Sequence, residues 1–330
     1  MRLERDAEYG IAEYAPGSEV VVDGLLLTSR GLNLQNRELK IGAYRVCSRC
    51  NRVDFGPHQQ DLKGPCQSCG SQPTGPRSTP RCFVEPRGFT TLIDEPVREV
   101  RLHRLKPPPN SEVYLIRGAD SFAPHAILPG VTLGYSQQGE LFRANCGHKF
   151  RQFRLCPYCG RAFEGKAGNP HAKPWGAKCS GQKTIIVDLA HRFETDTLQL
   201  RFDGMQPPPP PVNHTAFWVS FQTAFTAAAA DVLVIPARDI DGTFRSQSEQ
   251  GLRGELVIYD RVPGGAGYVE RIREELPNIL QGTLRRTGDC KNPQCDPQGS
   301  CYTCLRSYSN QFQWENLHRQ LVSDWLAIAL

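Results

Sequence analysis

The stretch CKNPQCDPQGSCYTC, residues 290–304, places four cysteines within fifteen residues, at Cys290, Cys295, Cys301 and Cys304. Four soft ligands are what a tetrahedral Zn²⁺ takes in a closed structural site. The same arithmetic recurs twice. Cys47-x2-Cys50 and Cys66-x2-Cys69 are separated by a 15-residue gap, the spacing of a zinc ribbon. Cys156-x2-Cys159 is followed by His171 and Cys179, the eight positions between them being short enough for both to complete one site. The rival fourth ligand for that set is Cys146 or His148. Twelve groups thus fall into three sets of four, predicting three structural Zn²⁺ ions and leaving Cys82 and Cys146 over among the thirteen cysteines.

Composition agrees with a metal-stapled chain. The 330 residues are 39% hydrophobic, somewhat below the globular average, with 26 prolines and 30 glycines. Binding energy at a structural zinc counts as folding energy and compensates for a thin core. The N-terminus MRLERDAEYG has no apolar signal core, and no apolar run approaches the ~18–20 residues of a membrane span. A cytoplasmic location follows, where thiols stay reduced and CxxC pairs more often bind metal than form disulfides. The net charge of +5, carried mostly by arginine, permits nucleic-acid binding without demanding it.

The expected fold is mixed α+β: a zinc ribbon and small β units, then a C-terminal α/β unit with the four-cysteine cluster. Residues 1–75 hold a hairpin around Asp23-Gly24 and a strand at Ile41–Val46 leading into Cys47. Residues 76–206 read as mostly β, with strands at Gly88–Ile93, Val113–Ile116 and Val131–Tyr135, the last pairing with Leu141–Asn145 across SQQGE. Two further runs, Thr184–Leu189 and Thr197–Phe202, close this section. Residues 207–213 contain a polyproline linker. Residues 214–330 alternate: helix Phe217–Ala230, strand Asp231–Ile235, strand Glu255–Tyr259, helix Tyr268–Leu280 and helix Leu317–Leu330.

Several motifs invite catalytic readings. The junction Asp260–Gly267, DRVPGGAG, resembles a phosphate loop at a helix start, yet lacks the lysine and hydroxyl of GxxxxGK[ST]. Its glycines are better explained by a tight turn. His171-Ala172-Lys173 opens an HxKxxxxD phosphodiesterase motif, but Lys178 stands where the aspartate belongs and no second copy exists. Asp94-Glu95 resembles an acidic ATPase motif with no Walker A element before it. A nuclease site near Asp260–Gly267 or His171 is therefore the alternative to a non-catalytic role, and a pure protein-interaction scaffold is a third. Candidate nucleic-acid contacts are Lys149, Arg151 and Arg154, interleaved with Phe150 and Phe153, and Arg285 with Arg286 before the third cluster. A looser basic group comprises Arg98, Arg101, His103, Arg104 and Lys106.

Five segments in order carry a family resemblance: EYAPGSEVVVDG (13–24), LCPYCGRA…H…C (155–179), HRFETDTLQLRF (191–202), IYDRVPGGAGYVERI (258–272) and GSCYTCLRSYSN (299–310). Together they resemble the zinc-binding C-terminal region of MrfA-type superfamily-two DNA helicases, found also in the DrmB subunit of the DISARM phage-defence system. The resemblance implies metal ligation by Cys290, Cys295, Cys301 and Cys304, with Cys156, Cys159, His171 and Cys179 as a second site. It implies DNA and a helicase motor as partners, in DNA repair or anti-phage defence. The helicase members carry an ATP-driven motor ahead of this region, and this sequence starts inside it. The expectation is therefore an accessory module that works with a motor in cis or in trans.

Overall fold

The computed structural model describes residues 7–34, 38–75, 78–92, 98–99, 111–148, 151–163, 170–181, 183–202, 214–246, 254–262, 264–296, 298–307 and 310–330. The linker 207–213, Lys149, Phe150, Asp94-Glu95 and the basic positions 101–106 lie outside them. The fold is mixed α/β, with three Cys/His foursomes, one of them near the C-terminus.

Two long antiparallel strands, Val131–Asn145 and Ile185–Phe202, form the spine of an eleven-stranded sheet. Each reads in sequence as two short strands, and the tertiary structure joins them. SQQGE is not a hairpin turn. Both halves of Val131–Asn145 face one partner, with the register slipping between Ser136 and Gly139. Such a bulge absorbs the polar residues while the ladder continues. Gly139 is needed there, because a Cβ would collide with the Thr197 side chain.

The spine's two ends serve different bodies. Toward its N-terminal end, Ile185–Leu189 pairs with Phe153–Leu155 and, in parallel, with Arg81–Val84, which pairs in turn with Ile41–Val46. Toward its C-terminal end, Thr197–Arg201 pairs with Gly254–Asp260, a wholly buried strand that pairs with Ile240–Ser246. The sheet therefore draws strands from segments 1–75, 76–206 and 214–330 alike.

Helices cover the second end: α2 (His214–Leu233), α3 (Tyr268–Glu274), α4 (Leu276–Gly288) and α5 (Arg319–Ala329). Their apolar faces meet Leu198, Leu200, Phe202, Leu256 and Ile258 in the largest core cluster. Trp325 of α5 stands edge-on to Phe202, Phe217 and Phe221 at 5.1, 5.2 and 5.3 Å. The expected strand Asp231–Ile235 is absent. The alanine-rich helix runs on to Leu233 and ends with Val234 at φ 55 and an Ile235 N–H to Ala230 C=O bond of 3.0 Å. Helix propensity and this C-terminal turn override the short apolar pattern. The expected helix over Tyr268–Leu280 is divided at Glu275 between α3 and α4. The Asp23-Gly24 hairpin forms, both turn residues having positive φ.

A short helix the pattern does not announce, α1 (Ala7–Glu13), is fixed by a buried ionic network. Glu8 Oε1 accepts from Arg143 at 2.6 Å and from Arg261 Nε at 3.2 Å. Arg143 also donates to the Tyr259 hydroxyl at 3.1 Å and lies 3.7 Å from Asp241. One guanidinium thus joins α1, the spine and both C-terminal strands. Removing one member of a buried pair strands the other charge. Arg143→Ala should lower unfolding free energy by about 3–5 kcal/mol in urea titration, whereas Arg117→Ala, whose pair with Glu194 is exposed, should change it by under about 1 kcal/mol.

Candidate metal centres

Within each foursome, local backbone turns bring neighbouring cysteines together. In Cys47–Cys50, Cys66–Cys69 and Cys156–Cys159 the residue after the second cysteine is left-handed: Asn51 at φ 56, Gly70 at 69, Gly160 at 74. Each of these three residues donates its N–H to the carbonyl of the first cysteine at 2.9 Å. In each case the first cysteine's N–H bonds the residue beyond, Arg52, Ser71 or Arg161, at 2.8–2.9 Å. One knuckle is therefore built three times. Gly160 announces its copy in the sequence; Asn51 and Gly70 occupy the equivalent place and were equally readable. The pair Cys301–Cys304 uses a helix-like turn instead, with Leu305 and Arg306 N–H groups on the Cys301 carbonyl.

Ligand atoms of each set lie within 4.8 Å of one another: Cys47, Cys50, Cys66, Cys69; Cys156, Cys159, His171, Cys179; Cys290, Cys295, Cys301, Cys304. Sulfur–sulfur distances are 3.7 Å for Cys47–Cys69 and Cys50–Cys66, and 3.8 Å for Cys156–Cys179. In the third set they are 3.6, 3.9 and 3.8 Å. A tetrahedron with Zn–S of ~2.3 Å has edges of about 3.8 Å, whereas a disulfide needs ~2.05 Å. The sets fit zinc and exclude disulfides. His171 faces Cys159 Sγ through Nε2 at 3.4 Å, its ring packed edge-on to Phe163. Cys146 is elsewhere, in the aromatic core, its Sγ 3.6 Å from the Tyr44 hydroxyl. His148 is exposed. His171 is thus the fourth group of the second set.

The surroundings favour thiolate. Burial, together with the neighbouring thiols, pushes Cys159 and Cys295 up to about 12. Against burial, N–H groups of Thr303 and Cys304 with neighbouring thiols hold Cys301 down at about 6, and the Ser71 hydroxyl and N–H help hold Cys69 at about 7. Cys179 is likewise lowered, against its burial, by the Gly181 N–H and neighbouring thiols, while burial raises Cys50, Cys66 and Cys304. Metal binding must therefore release protons and weaken as pH falls. The first cluster is further buttressed by Arg45, whose buried guanidinium pairs with Asp54 and donates to the carbonyls of Leu62, Gly64 and Pro65, shaping the loop into Cys66. Asn51 also donates to the Phe244 carbonyl at 2.7 Å, docking this knuckle on the C-terminal strands.

The glycine turn after Gly254–Asp260 has its own anion. Asp260 is buried and accepts N–H bonds from Ala266 at 2.7 Å, Tyr268 at 3.2 Å and Val269 at 3.1 Å. Its carboxylate fills the place a phosphate would take at the start of α3. Burial nevertheless raises its pKa, and the Asp196 carboxyl beside it is raised by burial and by the charge of Asp260. The candidate nucleic-acid residues divide. Arg151 and Arg285 are exposed, and Arg154 is half-buried and donates to Thr184 Oγ1 at 3.3 Å. Arg286 bridges the Cys304 carbonyl at 3.0 Å and Asp231 at 2.6 Å, tying α4 to the third cluster and α2. Phe153 is a core residue beside Leu155 and Val187, not a stacking surface. Two exposed aromatics that the sequence reading passed over are Tyr158 and Trp175, both within the second cluster.

Cys301→Ser should lower zinc content from three equivalents to two and reduce the melting temperature, while Cys146→Ser should retain all three by atomic absorption. Zinc should leave as pH falls, because thiols must take up protons, and a chelator titration should become easier at pH 5 than at pH 8. Asp260→Ala, which orphans three N–H groups, should cost at least about 2 kcal/mol.

Comparison with known proteins places these features. Residues 221–305, from the first turns of α2 to the third cluster, match the family described as the MrfA Zn-binding domain. The Druantia protein DruE of Escherichia coli (strain UMEA 4076-1) is 25% identical over 378 residues, covering 99% of this chain. The chain spans only 19% of that relative's length. Crystal structures of the DUF1998 helicase MrfA resemble it at 10% identity: the DNA-bound form has a TM-score of 0.44, covering 98% of this chain and 31% of that one. A second crystal structure of MrfA has 0.40, covering 92% and 29%. Among the described residues no helix is long and apolar enough to cross a membrane. Residues 221–305, which contain the IYDRVPGGAGYVERI segment and the third cluster, thus match the MrfA zinc-binding domain.

Proposed function

We propose that this chain is a zinc-stapled, non-catalytic accessory module of a helicase system. It binds DNA, docks a superfamily-two motor, or does both, with the motor in cis or in trans. The setting is the cytoplasm, in DNA repair or anti-phage defence of the kind to which DISARM belongs. The observation that carries this reading is the third foursome lying inside the matched zinc-binding domain. A set of four protein ligands leaves no position for a catalytic water, so zinc here would serve structure. The occupied turn at Asp260 supports the same view, because its carboxylate is already held by three N–H groups and is buried from a substrate.

Fluorescence anisotropy with labelled single-stranded and duplex DNA tests the reading. The zinc-loaded chain should bind, and log Kd should rise linearly with log salt as phosphate contacts are lost. Stripping zinc should abolish binding together with folded structure in circular dichroism. Magnesium-dependent cleavage that disappears in a folded Asp260→Ala variant would establish a nuclease and overturn the proposal. No binding even at low salt would remove the DNA-binding arm and leave motor docking or a pure scaffold role.

A further inference from the structure

Positive charge is concentrated in one place. Residues 147–187 carry eight Lys and Arg against a single acidic residue, Glu164, more than the +5 of the whole chain. Asp188, just beyond, is buried in the core. The rest of the chain is therefore close to neutral. Three thiolates around a divalent ion subtract only one charge from this second unit, whereas each of the two all-cysteine sites subtracts two, so zinc sharpens the contrast.

Aromatic surface is concentrated there too. Tyr158, Trp175 and Tyr302 are the exposed large aromatics among the described residues, at 70%, 54% and 66% exposure, and two of the three belong to this unit. Tyr158 is the tip of the Cys156–Cys159 knuckle. Trp175 is the tip of the hairpin that pairs His171 with Cys179 and Ala172 with Lys178. The Lys173 ammonium sits over one face of the Trp175 ring, 5.4 Å from its centre, leaving the opposite face for a base. The chain leaving Cys179 passes against the tyrosine: a Cβ on Gly181 would lie 2.7 Å from Tyr158 Cδ2. Lys178 and Lys183, on either side of that glycine, are exposed.

Both rings stand largely in water on turns of the second Cys/His set, and lysine ammonium groups lie close to them. We infer that the second Cys/His unit is a stacking platform for single-stranded DNA, Tyr158 and Trp175 receiving bases while Lys173, Lys178 and Lys183 take phosphates. Stacking on an open ring requires a base freed from its pair, which selects single strands over duplex. Among its described residues the unit offers a knuckle and a hairpin of two-residue strands, and no helix to enter a major groove, so the duplex arm of the test decides whether the hairpin does so. This inference rests on the DNA-binding reading above and places it on an unassigned surface outside residues 221–305.

The test uses the full zinc-loaded chain with fluorescein-labelled oligo(dT) and a duplex of equal length. Oligo(dT) should bind more tightly. Tyr158→Ala and Trp175→Ala should each weaken it about tenfold or more, while phenylalanine at both positions should stay within about threefold of the parent. Lysine-to-glutamine changes at Lys173, Lys178 and Lys183 together should reduce the salt slope by about 2, at ~0.7 per phosphate contact on a single strand. Zinc content should remain at three equivalents. If the parent binds and the ring variants bind equally well, or if duplex is preferred, the platform is overturned while the DNA-binding reading survives. If the parent binds no DNA, both fall. Should a ring variant lose zinc, photo-crosslinking of the unaltered protein to 5-iododeoxyuridine DNA decides: adducts in peptides containing Tyr158 or Trp175 support the platform, and adducts only elsewhere refute it.

Discussion

Gathering four soft donor atoms within 4.8 Å of one another is the constraint on which this molecule depends. Thiolates at that separation repel strongly, and neutral thiols gain little by meeting there. A divalent ion converts the arrangement from a cost into folding energy. The chain prepares for it by turning its backbone so that N–H groups face the sulfurs. Left-handed residues at Asn51, Gly70 and Gly160 make three of those turns possible. Loops with few apolar residues are held in this way, and long strands can start from fixed points.

Those fixed points are coupled through the sheet. The first cluster is connected to the C-terminal strands by Asn51 on the Phe244 carbonyl, and the third is tied to α2 and α4 by Arg286. The second sits where Phe153–Leu155 pairs with the start of the spine, and its Gly160 packs against the Leu32 carbonyl with no room for a Cβ. Between them run ionic networks around Arg143 and Arg45, whose buried charges are paired and hydrogen-bonded. Such networks contribute register more than net stability. Loss of one metal would therefore be felt beyond its own loop.

The division of surface character follows from the same plan. The third cluster lies under helices and within the matched zinc-binding domain, its sulfurs surrounded by Val219, Ala224, Leu305 and Leu317. The second cluster projects aromatic and basic side chains into water. A closed metal site needs no apolar core beneath it, so its turns are free to present rings that a conventional domain would bury.

The sequence alone singled out eleven cysteines as candidate ligands and left the fourth group of the second set open, because tetrahedral chemistry demands four donors at short spacing and the CxxC pairs are local. It also determined the Asp23-Gly24 hairpin and the helix after residue 214, both set by nearest-neighbour preferences. Only the tertiary structure decided what pairs with what. It joined Val131–Tyr135 to Leu141–Asn145 as one bulged strand, since a common partner strand lay more than forty residues away. It extended α2 through Asp231–Leu233, where a strand was expected, and it chose His171 over Cys146 by carrying Cys146 into an aromatic core. It also turned Asp260 inward as the anion of its own glycine turn and Arg286 into a structural tie. Such assignments depend on distances between residues remote in the chain, and no local pattern encodes them.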